Sequence, residues 1–383
     1  MRAEYADAVA MTRSVAAEHA EHSDHDARFP TDALAAMRHS RLLGLMLPAE
    51  LGGGGGTLDD LVDVTIELGR VDTSVALIFA MHCQQVVALD RFAKERLRSH
   101  ILPAVAEGKV YVASVTTELG KAGLLHSDTT TEEVRGGLRI ERDAPLVTGG
   151  MHADGFLISM RSPGADSPTQ VDLVYAGRDQ LRIEAVGEWQ PLGMRATESV
   201  PMRLCGTVPE WQLVGEHGDF RKVAASVFAP LAHVGWSAAW LGAAIGAYGR
   251  VVQSIRSPSG RKWFDSASEV LLTRLATART RLDRTHAMLR HTVRTLAICE
   301  DPTATNVQLL VNALKIEAAE SCFQVVDDLI ELAGLRHGYL TGSPLLLERA
   351  FRDLRSASLN YGNDRLRLTN GSLALMDTGV RLA

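Results

Sequence analysis

The feature of this chain that most limits its fold is a change in the spacing of its apolar residues, from helical to strand-like and back to helical. Residues 1 to about 110 place apolar side chains at helical spacing, and the same spacing returns after about residue 219. Between these regions, short β-rich runs are separated by Gly, Pro and Asp, which is typical of strands and turns. The runs are Val110–Val115, Leu138–Arg142, Phe156–Met160, Val171–Tyr175 and Leu181–Val186.

This order, with helical patterns on both sides of a β-rich region, predicts a mainly α chain with a central β domain. We expect an N-terminal helical domain over residues 1–110, a middle β barrel or sandwich over residues 111–215, and a C-terminal helical bundle over residues 216–383. A chain of 383 residues with 46% hydrophobic residues is long enough to give these domains real cores.

Two segments suggest functions that their composition argues against. Gly52–Gly56 could be taken for a phosphate-binding loop, but the Gly-Lys-Ser/Thr that such a loop needs does not follow it. We predict a turn instead, with Thr57 as the helix N-cap and Asp60 as the acid of a capping box. Residues 231–252 are long enough to cross a bilayer, but they are mostly Ala and Gly and include His233. A helix buried inside a soluble protein is the better prediction.

Charge and cysteine usage narrow the class of protein further. A formal net charge of −6 argues against nucleic acid or an anionic membrane surface as the partner. The four cysteines lie far apart without the spacing of metal ligands, so we expect free thiols, no metal and a reducing compartment. The first residues are acidic and lack the apolar core of a signal peptide. These features predict a cytoplasmic protein.

Seven short motifs occur in a set order along the chain. They are Pro48-Ala49-Glu50-Leu51-Gly52-Gly53, Val115-Thr116-Thr117-Glu118, Val147-Thr148-Gly149-Gly150 with Ala153-Asp154, Leu192-Gly193-Met194-Arg195 with Thr197 and Ser199, Arg261-Lys262-Trp263-Phe264, Gly334-Leu335-Arg336-His337-Gly338-Tyr339, and Arg352-Asp353. In this order they resemble the acyl-CoA dehydrogenase superfamily over nearly the whole chain. The resemblance implies that family's fold, with a C-terminal four-helix bundle, and FAD as the cofactor, with FMN less expected.

The resemblance also implies roles for single residues. Arg261 would bind the flavin diphosphate of a neighbouring subunit, since a guanidinium matches phosphate geometry; a homodimer or homotetramer is therefore expected. The alternatives are an exposed surface arginine at 261 and ordinary strand threonines in the β domain. For His82 the alternative is a helix-start residue without a functional role. The implied cofactor-binding residues are Thr116, Thr117, Val147, Thr148, Arg261, Phe264 and Gly334, and the implied substrate-binding residues are His82, Arg195 and Asn360.

The chain departs from the family at the catalytic position. Where the family has a glutamate that removes a proton beside a thioester carbonyl, this chain has Tyr361. Some members take their base from an earlier helix, but here that place holds Ala232 or His233. We therefore predict Tyr361 and His233 as catalytic candidates. The alternatives are a tyrosine that only fills space and a core histidine bonded to a backbone carbonyl. The segment Leu119–Asp128 also differs from the family's Pro and Gly-Ser-Asp pattern.

Three functions remain open at this point. The first expectation is an FAD-dependent dehydrogenase that oxidises an acyl thioester, bound to CoA or a carrier protein, at its Cα–Cβ bond. Its base would be Tyr361, His233 or another group close to the substrate. The second is a flavin monooxygenase or oxidase of the same fold, which uses reduced flavin from a partner reductase and oxygen. The third is a relative without catalytic activity that acts as a binding or scaffold protein.

Overall fold

The computed structural model describes residues 2–118, 123–377 and 379. Its N-terminal region is helical, and the predicted capping box is confirmed there. The Thr57 hydroxyl accepts the Asp60 amide, and the Asp60 carboxylate accepts the Thr57 amide at 3.0 Å. The main helices are α1 (Ala6–Asp26), α2 (Thr31–His39), α3 (Leu58–Gly69), α4 (Thr73–Phe92) and α5 (Glu95–Ala106).

Two four-stranded sheets form the middle of the described chain. One has the order β1-β4-β5-β8, with β1 and β4 parallel, and the other has the antiparallel order β2-β3-β7-β6. All five predicted runs overlap strands, although two of them extend one or two residues beyond the strand, whereas β2, β7 and β8 were not predicted. The strands are β1 (Val112–Val115), β2 (Glu132–Val134), β3 (Gly137–Ala144), β4 (Gly155–Arg161), β5 (Val171–Gly177), β6 (Leu181–Ala185), β7 (Met202–Val208) and β8 (Leu213–Val214).

Helices return after the second sheet. The long helix α7 packs against α3 and α4 on one side and against α8 and α9 on the other. Gly242 allows the approach to α3, because a Cβ at this position would lie 2.4 Å from the Ile66 carbonyl oxygen. The helices are α6 (Phe220–Val223), a π-helical segment (Ala224–Phe228), α7 (Ala229–Arg256), α8 (Glu269–Ile298), α9 (Thr305–Gly334), α10 (Leu347–Arg355) and α11 (Asn363–Ala374).

Two of the described helical segments are long and apolar enough to cross a membrane. They are Thr73–Phe92 and Phe220–Arg256, and 89% and 83% of their most apolar windows are buried inside the protein. The second contains residues 231–252, which were predicted to form a buried helix. Both segments are therefore core helices, and they bring the N-terminal helices, the sheets and the C-terminal bundle together.

The motif that contains Gly193 and Met194 packs directly on the Arg352-Asp353 motif. The Asp353 carboxylate accepts the Met194 amide at 2.6 Å, and Arg352 pairs with Asp24 of α1 at 2.6 Å. Gly193 permits this contact, since a Cβ there would lie 2.1 Å from the Arg352 carbonyl carbon. The Arg-Asp pair thus joins three parts of the chain: α1, the loop before β7, and α10.

Candidate active site

A cavity of about 550 Å³ lies where the three regions meet. The side chains around it come from α4, the end of β1, the loops of the middle region, α7 and the turn between α10 and α11. They include Leu77, Met81, Gln84, Ser114, Thr116, Thr117, Glu118, Leu124, Leu146, Thr148, Trp189, Met194, Thr197, Ser199, Phe228, Ala232, His233, Trp236, Trp240, Leu359, Asn360, Tyr361 and Arg365.

One wall of the cavity presents hydroxyl groups. The Thr117 hydroxyl donates to the Leu146 carbonyl at 2.9 Å, and the Thr148 and Ser199 hydroxyls lie 3.0 Å apart. Thr116 lies 3.3 Å from the Ser114 hydroxyl. Each hydroxyl can act as donor and acceptor, so this wall can bind the polar edge of a flat ring without carrying a charge.

Another part of the cavity lining is aromatic. His233, Trp236 and Trp240 occur at helical spacing and share one face of α7. The ring centroids of His233 and Tyr361 are 5.9 Å apart, and those of His233 and Trp236 are 5.8 Å apart. The two predicted catalytic residues are therefore neighbours in the cavity, although 127 positions separate them in the sequence.

A polar contact holds the aromatic wall near its N-terminal end. The Phe228 carbonyl ends the π-helical segment, and the Gln84 amide donates to it at 2.6 Å. Short π-helical segments are frequent at functional sites, because they displace one helical residue from its normal direction. Here the segment comes directly before α7, and both Phe228 and Gln84 contact the cavity.

His233 is kept neutral by its surroundings. Only 2% of the residue is exposed. Burial, together with the charge of Lys315, lowers the pKa of His233 to about 3, against the opposing effect of a hydrogen bond with the Val311 backbone. Its Nδ1 atom is buried without a partner among the described residues, and so is Nε1 of Trp236. Two buried polar atoms of these cavity-lining residues thus lack a hydrogen-bond partner within the described structure.

Tyr361 has an unusual backbone conformation. Its φ angle is +53°, in the left-handed region that residues with a side chain seldom adopt. The residue is 36% exposed, and the Arg365 guanidinium lies over its ring, 5.6 Å from the ring centroid. The predicted substrate-binding residue Asn360 precedes it and also contacts the cavity.

Among the described residues that line the cavity, Glu118 is the only one with a carboxylate. Its oxygens already accept hydrogen bonds from other parts of the protein. They accept hydrogen bonds from Arg142 at 2.5 Å, the Thr129 hydroxyl at 2.7 Å and the amides of Asp128 and Thr129 at 3.0 Å. Burial opposes ionisation, but the Thr129 hydroxyl and the Arg142 charge outweigh it and lower the pKa of Glu118. Glu118 is therefore a structural carboxylate that anchors Arg142, which is 1% exposed.

Asp353 is a second carboxyl group near the site. Burial raises its pKa to about 7, although the Met194 amide and the charge of Arg349 oppose this change. The group is not among the described residues that contact the cavity. Its role is to bind the loop that carries Met194.

Three of the predicted site residues, His82, Arg195 and Val147, are engaged in the core or in loop packing and are not among the described residues that line the cavity. Both ring nitrogens of His82 are used in the core: Nε2 contacts the Leu43 carbonyl at 2.9 Å and Nδ1 accepts the Val112 amide at 3.0 Å. Arg195 donates to the Asp24 and His25 carbonyls at 2.7 and 2.9 Å, which ties its loop to α1. Val147 is fully buried in the core.

The predicted cofactor-binding residues fall into two groups. Thr116, Thr117 and Thr148 contact the cavity, whereas Arg261, Phe264 and Gly334 do not. Phe264 packs against His337, with ring centroids 6.1 Å apart, so the Arg261 motif and the loop after Gly334 meet at another place on the C-terminal bundle. Of the divergent segment Leu119–Asp128, residues 119–122 lie outside the described part of the chain.

Several residues of the site were missed at the sequence level. The spacing of Trp236 and Trp240 with His233 on α7 could have revealed the aromatic wall. Lys315 is a charged residue on the otherwise apolar face of α9, between Leu314 and Ala318, and it is fully buried. Ser199 belongs to a quoted motif but was not predicted as a site residue, and Arg365 carries no local signal, because only the fold brings it to the cavity.

Comparison with known proteins identifies the family. The model of the acyl-CoA dehydrogenase N-terminal domain matches residues 3–109, and that of the acyl-CoA dehydrogenase C-terminal domain matches residues 234–363. The chain belongs to the acyl-CoA dehydrogenase superfamily. The predicted superfamily and its fold are therefore confirmed, and with them the class of flavin-dependent oxidoreductases.

Individual relatives come from different branches of this superfamily. The mitochondrial isobutyryl-CoA dehydrogenase of Dictyostelium discoideum is 24% identical over 353 residues, which are 90% of this chain and 82% of that protein. The FMN-bound structure of TdsC, a dibenzothiophene monooxygenase from Paenibacillus sp. A11-2, has a TM-score of 0.86 at 19% identity and covers 98% of this chain and 99% of TdsC. KijD3 in complex with dTDP has a TM-score of 0.82 at 24% identity, covering 97% and 95% of the two chains. At these identities the structures establish the fold alone.

Proposed function

We propose that this protein is a flavin-dependent monooxygenase that uses reduced flavin and oxygen to oxidise a small substrate. The observation that carries the proposal is the lack of a free carboxylate in the described cavity wall. Glu118 is bound to Arg142 and Thr129, and Tyr361 occupies the family's catalytic position. The undescribed residues 119–122 are Leu, Gly, Lys and Ala, so they add no carboxylate.

The remaining polar groups support the same conclusion. A dehydrogenase must remove a proton beside a thioester carbonyl, and its base works best with a pKa near the working pH. His233 has a pKa of about 3 and therefore a low affinity for protons. It suits a different task, which is to form a hydrogen bond as a neutral imidazole. A monooxygenase reaction needs no base for a carbon-bound proton of this kind.

The cavity fits the ring system of a flavin. A volume of about 550 Å³ lies within the usual range of ligand pockets. The hydroxyls of Thr116, Thr117 and Thr148 would hold the polar edge of the ring, and His233, whose Nδ1 is unpartnered among the described residues, also belongs to the cavity lining. When bound, a reduced flavin supplies the two electrons that, with one oxygen molecule, give an oxygenated product and water. FAD is the first expectation and FMN the alternative, and FMN is present in the TdsC structure.

The protein's own residues would bind and orient the substrate. Trp236, Trp240 and Phe228 provide an apolar surface that excludes water, and Tyr361 can donate a hydrogen bond to a substrate oxygen. Arg261 and Gly334 would bind the diphosphate of FAD in a neighbouring subunit, which requires a homodimer or homotetramer. A reductase that delivers reduced flavin is the expected partner, and a cytoplasmic location stays a prediction.

An acyl-thioester dehydrogenase is the second candidate. It is favoured by the match to isobutyryl-CoA dehydrogenase, which spans 90% of this chain. In that case Tyr361 or another group would have to act as the base. The substrate would then be a CoA or carrier-protein thioester.

Isotope labelling tests the proposal. Flavin-loaded protein is supplied with NADH, a separate flavin reductase and ¹⁸O₂, with indole and dibenzothiophene as separate probes. The expected result is one ¹⁸O atom in a product that forms only when the protein is present. If oxygen is consumed with either probe but no label enters an organic product, the monooxygenase proposal is wrong.

A further inference from the structure

Lys315 is a buried cation next to the proposed site, and the proposed reaction does not use it. The residue lies on α9, and none of its surface is exposed. Its ammonium lies 5.6 Å from the centroid of the Trp240 ring, and Trp240 contacts the cavity. A buried lysine is costly unless hydrogen bonds compensate for the lost hydration, so its contacts indicate what it is for.

All three hydrogen bonds of Lys315 go to one short segment of the chain. The ammonium donates to the Asn363 side-chain oxygen at 2.7 Å, the Ala357 carbonyl at 3.0 Å and the Tyr361 carbonyl at 3.4 Å. Within the described residues, no backbone amide donates to either carbonyl. Lys315 therefore supplies the donors for the turn that joins α10 to α11.

This turn carries Tyr361 in its left-handed conformation. A tyrosine has no intrinsic preference for a φ of +53°, so its surroundings must hold it there. Lys315 donates a hydrogen bond to the backbone carbonyl of Tyr361, the residue that adopts this φ angle. Asn363 is the first residue of α11, and its amide also donates to Glu320 on α9 at 2.9 Å. The turn is thus fixed to α9 at several points.

We infer that Lys315 is a positioning residue that holds the turn of residues 356–362, so that the Tyr361 ring stays next to His233 in the cavity lining. The inference deepens the proposed function, since it assumes that Tyr361 belongs to the working site. Lys315 itself is not among the described residues that line the cavity. It acts through the backbone of the residue that occupies the family's catalytic position.

Fluorine NMR of protein labelled with 3-fluorotyrosine tests the inference without flavin, oxygen or substrate. A Tyr361→Phe variant identifies the Tyr361 resonance. In Lys315→Met, which keeps most of the side-chain volume, this resonance should move towards that of a solvent-exposed tyrosine. Hydrogen exchange of the peptide covering residues 356–363 should become at least about tenfold faster, because hydrogen bonds from a charged donor are lost.

The matched control is Asn312→Leu. Asn312 lies on α9 and is also buried, but it donates to Asn370 and does not contact the turn. This variant should leave the Tyr361 resonance and the exchange of residues 356–363 unchanged. If Lys315→Met fails to fold, Asn363→Ala removes one partner of the ammonium and should shift the same resonance.

An unchanged Tyr361 resonance in a folded Lys315→Met or Asn363→Ala variant would overturn the inference. The same conclusion follows if Asn312→Leu shifts the resonance as much as Lys315→Met. Neither result bears on the monooxygenase proposal, which depends on oxygen incorporation by the unaltered protein.

Discussion

Replacing His233 with glutamine is expected to make the protein less sensitive to acid. The pKa of this histidine is 6.5 without the fold and about 3 within it. Between these values the unfolded chain binds more protons than the folded chain, so stability is lost as the pH falls through this window. One pKa unit corresponds to about 1.4 kcal/mol, so a decrease from pH 8 to pH 5 removes about 2 kcal/mol through His233. The window lies above the folded pKa, so His233 remains neutral in the folded protein.

His82 contributes in the same direction. Burial lowers its pKa to about 4, despite the hydrogen bonds to Leu43 and Val112. By the same reasoning, His82 lowers the free energy of unfolding by a further ~2 kcal/mol between pH 8 and pH 5. The two histidines together therefore contribute a loss of about 4 kcal/mol in the unaltered protein, and His82 alone contributes about 2 kcal/mol in His233→Gln. Asp353, whose pKa is raised to about 7, contributes in the opposite direction and does so in both proteins.

Urea unfolding at both pH values measures this difference. The quantity compared is the change in free energy of unfolding between pH 8 and pH 5, so any effect of the substitution common to both cancels. His39→Gln is the control, since His39 is exposed at the end of α2, and it should behave like the unaltered protein. If His233→Gln loses as much stability as the unaltered protein, His233 is not the buried neutral group described here.

Three further substitutions test the contacts that build the site. Glu118→Gln leaves the buried Arg142 without its charged partner and should cost about 3–5 kcal/mol, measured as the free energy of unfolding; a loss below about 1 kcal/mol would show that Arg142 does not depend on this pair. Gly193→Ala places a Cβ 2.1 Å from the Arg352 carbonyl carbon and should cost about 1–3 kcal/mol, visible as a lower Tm, whereas an unchanged Tm would contradict the close packing of these two motifs. Thr57→Ala removes the cap of α3 and should cost about 1 kcal/mol in urea unfolding, and equal stability would argue against the capping box.

The sequence predicted the fold well, because its signals are local and periodic. Helical spacing indicated the return of helices after about residue 219, and the capping box at Thr57 marked the start of α3. Strand β7 was missed although Met202, Leu204 and Val208 are buried while Arg203 is exposed. The alternation was present, but Gly206 interrupts the run of β-forming residues, so it did not stand out from the surrounding loops.

The site was harder to predict than the fold. A motif gives the position of a residue along the chain but not the direction of its side chain. His82 and Arg195 follow family motifs or lie near them, yet their side chains bond to core and loop backbone. The contact between His233 and Tyr361, and the support from Lys315, depend on how α7, α9 and the last turn pack together. No local pattern contains that information.

The most direct test of the proposed function is an anaerobic titration of the flavin-loaded protein with butyryl-CoA and isobutyryl-CoA, followed by absorbance of the oxidised flavin. Because the described cavity wall offers no free carboxylate and His233 is a weak base, we predict that the absorbance stays unchanged. We also predict that the flavin of the same protein, once chemically reduced, is rapidly reoxidised by air. Rapid anaerobic bleaching by either thioester would contradict the monooxygenase proposal and establish the dehydrogenase.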